Sequence, residues 1–162
     1  MTNWETIILT AGVTLIGGTI LFGISEFVKV LVLIPLQKFR EHVQLTLDRT
    51  DFYANRITNY FPAKPDDKEK LLIGQICADF RSAATGLSST YVSISFRKQL
   101  AWLRIVPDAE NVQKAYGGLM YLSNSILYRG QDSEIGSPTQ NHKMIDQIKN
   151  SLTSTKTNDE GQ

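Results

Sequence analysis

The hydrophobic pattern of the chain begins with an uninterrupted apolar stretch over residues 6–25, TIILTAGVTLIGGTILFGIS. No charged residue occurs in these twenty positions. A helix of this length reaches about 30 Å, which matches the hydrocarbon core of a bilayer. A cleaved signal peptide would begin with basic residues, and residues 1–5 contain neither Lys nor Arg. The pattern therefore predicts a transmembrane helix.

Apolar character continues beyond the span. A charged step at Glu26 and Lys29 is followed by more apolar residues, so residues 27–36 form an apolar neck that needs covering. Pro35 predicts either a kink or the first turn of a new helix, because proline lacks the backbone N–H. We assign residues 1–36 to the transmembrane helix and its neck.

Residues 37–130 carry the three-to-four spacing of amphipathic helices. One helix is predicted up to about Tyr60, a second starts after an Asp66 or Asp67 cap, and a third is opened by Pro107. Residues 91–106 fit both a short strand and a helix, and the helical neighbours favour the helix. The predicted fold class is all-α: one N-terminal transmembrane helix followed by a cytoplasmic bundle of about four helices.

Two intervals are predicted to lack regular structure. Gly86 and the following Ser88–Thr90 cluster are expected to end or loosen their helix. Residues 131–162 are polar and predicted to be a largely disordered tail. Only four apolar positions in that tail hint at a short amphipathic turn: Met144, Ile145, Ile148 and Leu152.

Charge predicts the orientation of the span. All seventeen Lys and Arg residues follow it, and positive residues remain on the cytoplasmic side. We therefore expect an inner-membrane protein with its N-terminus outside and its C-terminal domain in the cytoplasm. A single cysteine agrees with a reducing compartment. The candidate contacts to the membrane surface are Trp4, Lys29, Lys38 and Arg40.

Small and hydroxyl residues form a stripe along the span. Such residues allow helix backbones to approach closely in lipid. Ordinary Gly and Thr content is the alternative explanation, because no strict G-x-x-x-G motif occurs. We interpret the stripe as a helix-packing or pore-lining face, and it predicts a homo-oligomer. Its members are Thr10, Ala11, Thr14, Gly17, Gly18 and Ser25.

Catalytic patterns are not found in the sequence. Neither His42 nor His142 has an E-x-x-H or H-E-x-x-H context, so no metal site is predicted. Cys77 falls on an apolar helix stripe and is expected to be a buried structural thiol. We expect no catalytic residue and no cofactor. The net charge of +1 makes nucleic acid an unlikely partner.

The segment of residues 96–104, FRKQLAWLR, has two interpretations. Its aromatic residues could insert among anionic headgroups while its cations bind phosphates. Alternatively, it is a core helix with solvated cations. We favour the core helix, because three charges are few for a membrane-surface helix.

Several short segments resemble a group of small bacterial single-span membrane proteins: residues 35–39, 52–55, 106–112 and 122–125. Over about residues 4–130 the layout is also similar to the membrane accessory proteins of type VI-B CRISPR systems. That similarity implies a span followed by a helical domain related to the HEPN ribonuclease fold, and assembly into pores. The HEPN signature is an Arg followed four to six residues later by a His. The chain departs from this signature, since the next histidine after Arg129 is His142.

These observations predict a non-enzymatic single-pass protein that self-associates as a scaffold or pore-like effector. The resemblance to the CRISPR accessory proteins implies a role in bacterial defence. One alternative is a membrane-tethered nuclease or other hydrolase with a degenerate site. The other is an anchor subunit that recruits a cytosolic protein partner. The expected partners are the lipid bilayer and further copies of the chain.

Overall fold

The computed structural model describes residues 3–59, 66–127 and 136–153. The described residues are all-helical and contain no strand, which confirms the predicted fold class. The helices are α1 (Asn3–Val28), α2 (Ile34–Thr58), α3 (Asp67–Ser93), α4 (Arg97–Trp102), α5 (Ala109–Leu127) and α6 (Pro138–Thr153).

A π-helical turn, Lys29–Leu33, joins α1 to α2. Pro35 follows this turn in the first turn of α2. A proline ring clashes with the carbonyl four residues earlier and offers no N–H to it. The wider turn accommodates Pro35, and the N–H of Ile34 donates five residues back to the carbonyl of Lys29. The helix therefore continues from the span into the bundle.

Helices α2, α3, α5 and α6 pack around one core. Helix α3 runs antiparallel to α2: the rings of Phe39 and Tyr91 are 5.5 Å apart near one end, and Tyr53 donates to Asp79 farther along. Helix α6 also runs antiparallel to α2, with Asn141 beside Ile57 and Lys149 beside Asp51. The largest fully buried apolar side chains are Phe39, Ile57, Ile76, Phe80, Leu87, Leu119, Leu122 and Ile148.

Two side-chain caps fix where helices begin. The carboxylate of Asp66 accepts the N–H of Glu69, whose side chain accepts the N–H of Asp66 in return. This reciprocal capping box satisfies backbone donors that the helix leaves free. Asp108 accepts the N–H of Asn111 at 2.7 Å. Helix α5 therefore starts after Asp108, slightly later than the Pro107 start that the sequence predicted.

The prediction that α3 ends near Gly86 was wrong. The helix continues to Ser93, because Leu87 and Tyr91 are buried in the core beyond it. The hydroxyl of Thr90 donates to the carbonyl of Gly86 at 2.7 Å, so it is satisfied within the helix. Gly86 also allows close packing, since a methyl group there would lie 2.7 Å from the His42 ring.

The prediction of a largely disordered tail over residues 131–162 was wrong for its middle part. Residues 138–153 form α6, which buries Ile145, Ile148 and Leu152. Its buried Asn141 donates to the carbonyl of Ile57 at 3.0 Å and so fixes α6 against the end of α2. Residues 131–135 and 154–162 lie outside the described residues.

Candidate membrane span and helix-packing faces

Helix α1 exposes its apolar side chains on every side. None of its residues is buried, and Leu15 is 74% exposed. At 1.5 Å per residue, its 26 residues extend about 39 Å. Among the described residues, this is the one helical segment long and apolar enough to cross a membrane. The bundle does not cover this surface, and lipid is a suitable solvent for it.

The threonine hydroxyls of the span are satisfied within the helix. Thr10 donates to the carbonyl of Thr6 at 2.8 Å, Thr14 to that of Thr10 at 2.9 Å, and Thr19 to that of Leu15 at 2.9 Å. An unsatisfied hydroxyl in hydrocarbon would be costly. Because these donors are occupied, contact between copies would depend on close packing of small side chains.

The residues of the predicted stripe share one side of α1. At about 100° per residue they fall within about 120° around the helix axis. We name this side face one, and it consists of Thr10, Ala11, Thr14, Gly17, Gly18 and Ser25. A shallow groove follows its first half, along Thr6, Ile7, Thr10, Ala11, Thr14 and Leu15.

A second group of small residues lies on roughly the opposite side of α1. Gly12, Thr19 and Gly23 fall within about 40° of one another around the axis. We name them face two. The seven-residue spacing along one line of the helix does not include this face. A projection around the whole helix reveals it.

The glycines of α1 are not required by packing within the described chain. A methyl group on Gly12, Gly17, Gly18 or Gly23 would contact no described atom within 4 Å. In the bundle, the same methyl on Gly118 would lie 2.7 Å from Ile148. Gly118 is therefore required by packing inside the monomer, whereas the glycines of α1 leave room for a neighbour.

The four predicted contacts to the membrane surface are distributed along the helix. Trp4 is 74% exposed, and about 38 Å of helix separates it from Lys29. This separation fits a bilayer of about 40–45 Å including its headgroups. Lys29 pairs with Glu26 at 3.4 Å. Lys38 and Arg40 are exposed beyond the neck, on the first turns of α2.

The neck is only half covered. Val32 packs against the core of the bundle and Leu36 is buried in it. Phe27, Val30 and Leu33 remain exposed on its other sides. The bundle therefore begins at the π-helical turn. It covers one side of the apolar neck that the sequence predicted to need covering.

Polar contacts inside the bundle connect helices. Arg49 on α2 donates to the carbonyl of Asp79 at 3.0 Å, and Tyr53 donates to the carboxylate of Asp79 at 2.7 Å. This hydrogen bond raises the pKa of Tyr53 because ionisation would break it and place two anions together. Arg81 on α3 donates to the hydroxyl of Ser123 on α5 at 3.0 Å.

Cys77 and the histidines occupy packing and surface positions. Cys77 is buried, its thiol donates to the carbonyl of Ser123 at 3.2 Å, and burial raises its pKa. His42 lies against Gly86, and exposed His142 is 3.5 Å from Asp146. In the described ranges, no three His, Cys, Asp or Glu residues are close enough to hold a metal ion.

The segment of residues 96–104 forms only part of the core helix that the sequence favoured. Six residues form the short helix α4, and Leu100 is its buried residue. Trp102 is 81% exposed and Phe96 is 57% exposed. The chain turns sharply at Phe96 and Arg104, which both have φ of 59°. These turns direct two large aromatic residues outward.

Comparison of the chain with protein-family models, curated proteins and solved structures finds no match.

Proposed function

We propose that this chain is a single-pass inner-membrane protein that self-associates through α1 and acts as a scaffold or pore-like effector, without catalysis. The observation that carries the proposal is the surface of α1, which is apolar on all sides and has no buried residue. The resemblance in layout to the type VI-B CRISPR accessory proteins supports the pore-like form and a role in bacterial defence.

The proposed orientation places the bundle in the cytoplasm. Lys29, Lys38 and Arg40 lie within about 15 residues of the inner end of the span, where positive charge has its strongest effect on topology. Residues 1–5 carry no Lys or Arg. A reporter active only in the periplasm, fused after residue 162, should be inactive. Its activity would contradict the orientation.

Faces one and two support a specific mode of assembly. Packing in lipid favours small residues at helix interfaces, since lipid tails give helices little hydrophobic reason to associate. Two such faces on opposite sides allow each copy to contact two neighbours through unlike surfaces. Repeated contacts of this kind form a ring when the rotation closes. We therefore propose a closed oligomer in which face one of each copy packs on face two of the next.

Two substitutions test this arrangement. Gly18→Leu adds bulk to face one and Gly12→Leu adds bulk to face two, while Leu preserves insertion. Ile20→Leu, on the side between the faces, is the matched control. We expect each glycine variant alone to be monomeric by crosslinking in native membranes, with the control assembling as the wild type does.

Coexpression of the two variants makes the test sharper. A Gly18→Leu copy keeps face two and a Gly12→Leu copy keeps face one, so together they should form heterodimers and no larger species. Dimers of Gly12→Leu alone would show that face one packs on itself. Normal assembly of both variants would refute packing through α1. A monomeric wild type that copurifies with one protein would favour the anchor subunit instead.

A further inference from the structure

The bundle carries an exposed aromatic and basic surface at the end nearest the span. We name residues 92–105 the interfacial loop, and they connect α3 through α4 toward α5. Its exposed large apolar residues are Val92, Phe96, Trp102, Leu103 and Ile105. Exposed clusters of this kind indicate a binding surface.

The antiparallel packing of α2 and α3 sets the position of this loop. Tyr53 meets Asp79 far from the span, His42 meets Gly86 nearer to it, and Phe39 meets Tyr91 nearer still. The residues that follow Tyr91 therefore lie at the level of the first turns of α2 and the neck. The loop lies on the same end of the bundle as the membrane boundary.

The distances along the helix set how far the loop must reach to contact headgroups. Val32 packs against the core, so the bundle reaches the level of the π-helical turn. Val32 lies seven residues past Ser25, about 10 Å along the helix. Headgroups occupy about 5–8 Å beyond each side of the hydrocarbon core. Phe39, which contacts Tyr91 just before the loop, lies fourteen residues past Ser25, about 21 Å along the helix. The loop must therefore extend about 13 Å from that level toward the span for its side chains to enter this layer.

The loop is fixed, so its exposed side chains are held in place. Ile94, Leu100 and Val106 are buried and anchor it to the core. Backbone hydrogen bonds close its turns, including Ile105 to Leu100 at 2.9 Å. Arg97 donates to the carbonyl of Val92 at 3.1 Å. A surface arranged before binding loses little conformational entropy when it binds.

The charge of the loop suits an anionic surface. Arg97, Lys98 and Arg104 alternate with the aromatic residues, and no Asp or Glu occurs over residues 80–107. Neither Lys98 nor Arg104 pairs with a carboxylate in the described ranges. Cations beside exposed Trp and Phe are the pattern that binds anionic lipid headgroups.

We infer that the interfacial loop docks on the anionic headgroups of the same bilayer that α1 spans, with Trp102 and Phe96 inserted and Lys98 and Arg104 on lipid phosphates. This inference rests on the proposed function. The span holds the loop beside the lipid, so docking is an intramolecular event that a small surface can sustain. The docked loop and the span together fix the orientation of the bundle relative to the membrane.

The test uses the fluorescence of Trp102 in the full chain. Trp4→Phe leaves Trp102 as the single tryptophan. The protein is reconstituted in vesicles of phosphatidylcholine with about one third phosphatidylglycerol, as an anionic membrane. We expect blue-shifted emission that brominated lipid quenches and acrylamide quenches weakly. Vesicles of phosphatidylcholine alone should give clearly less shift and less quenching by brominated lipid.

Charge variants identify the lipid contact. Lys98→Gln with Arg104→Gln should make Trp102 accessible to acrylamide in the anionic vesicles. Lys68→Gln with Lys143→Gln, two exposed cations at the far end of the bundle, is the matched control and should change nothing. Neither pair removes a hydrogen bond or ion pair seen in the described ranges, so helical circular dichroism should be unchanged.

The failures can be distinguished. Resistance to alkaline extraction measures insertion of the span independently of the loop. An inserted chain whose Trp102 stays open to acrylamide in anionic vesicles overturns this inference and leaves the proposed function standing. Trp102 shielded equally in both lipids and in both variants overturns it in favour of a protein contact. A chain that does not insert overturns both.

Discussion

Helix α1 and the helices of the bundle are built from the same kinds of apolar residue in opposite arrangements. In α1 these residues surround the helix and none is buried. In α5 they lie along one side and are buried against α3 and α6, as Leu119 and Leu122 are. The difference shows that the angular distribution of apolar residues, more than their number, determines whether a helix needs lipid or needs other helices.

Glycine shows the same difference in finer detail. Gly118 and Gly86 in the bundle each lie against a side chain that a methyl group would strike at 2.7 Å. Gly12 and Gly18 in α1 face open space. Packing within the bundle therefore requires these two glycines, whereas the glycines of α1 leave room for lipid or another copy. Substitutions matched between the two regions can test this.

The largest effect is expected from charge within the span. Leu15→Arg with Ile20→Arg should remove most of the protein from the membrane, because two Arg residues near a helix centre cost about 5–7 kcal/mol on insertion scales. Leu71→Arg with Phe52→Arg changes equally exposed residues of the bundle, Leu71 being 77% exposed. This control should stay in the membrane fraction. Equal distribution of the two variants would show that α1 is not in lipid.

A cavity in the core should give the next largest effect. Phe80 is fully buried, so Phe80→Ala should lower the free energy of unfolding of the bundle by about 3–5 kcal/mol. Urea unfolding in lipid nanodiscs, followed by circular dichroism, measures it. Phe22→Ala in α1 removes the same atoms from a side chain that contacts no core and should leave the transition midpoint unchanged. A comparable loss in both would mean that α1 packs on the bundle.

Glycine substitutions sharpen the comparison at smaller cost. Gly118→Ala should destabilise the bundle by about 1–3 kcal/mol, because the new methyl overlaps Ile148 and the core must shift. Gly18→Ala should leave bundle unfolding unchanged. The same urea experiment measures both. A shifted transition for Gly18→Ala would contradict the open surroundings of that glycine.

The smallest effect concerns Tyr53. Its pKa is raised in the folded bundle, so the associated stability is present below pH 10, the usual pKa, and is lost as pH rises through the folded value. Tyr53→Phe should cost about 1 kcal/mol at neutral pH by removing one hydrogen bond. It should also flatten part of the decline in stability above pH 10. An unchanged alkaline decline would contradict the role of the contact with Asp79.

The candidate site was only partly predictable from the sequence. The stripe on face one follows from spacing, and its role in packing stays a prediction. Face two required all sides of the helix to be considered. The outward position of Trp102 belongs to the interpretation that the sequence did not favour, because spacing cannot distinguish a buried turn from an exposed one. Phe96 and Leu103 fit a helical stripe, but the short α4 buries Leu100 and turns both of them outward.

The sequence by itself determined the long apolar helix α1 and the helical class, because a long uncharged stretch and amphipathic spacing depend only on residues near one another in the chain. Tertiary structure decided the features that depend on contacts with helices distant in the chain. Leu87 and Tyr91 are buried in the core beyond Gly86, and His42 fills the space that Gly86 leaves, so α3 continues where its sequence predicted an end. Helix α6 forms in a polar segment because α2 and α5 bury its few apolar residues, and the entropy of ordering is offset only once these partners are in place.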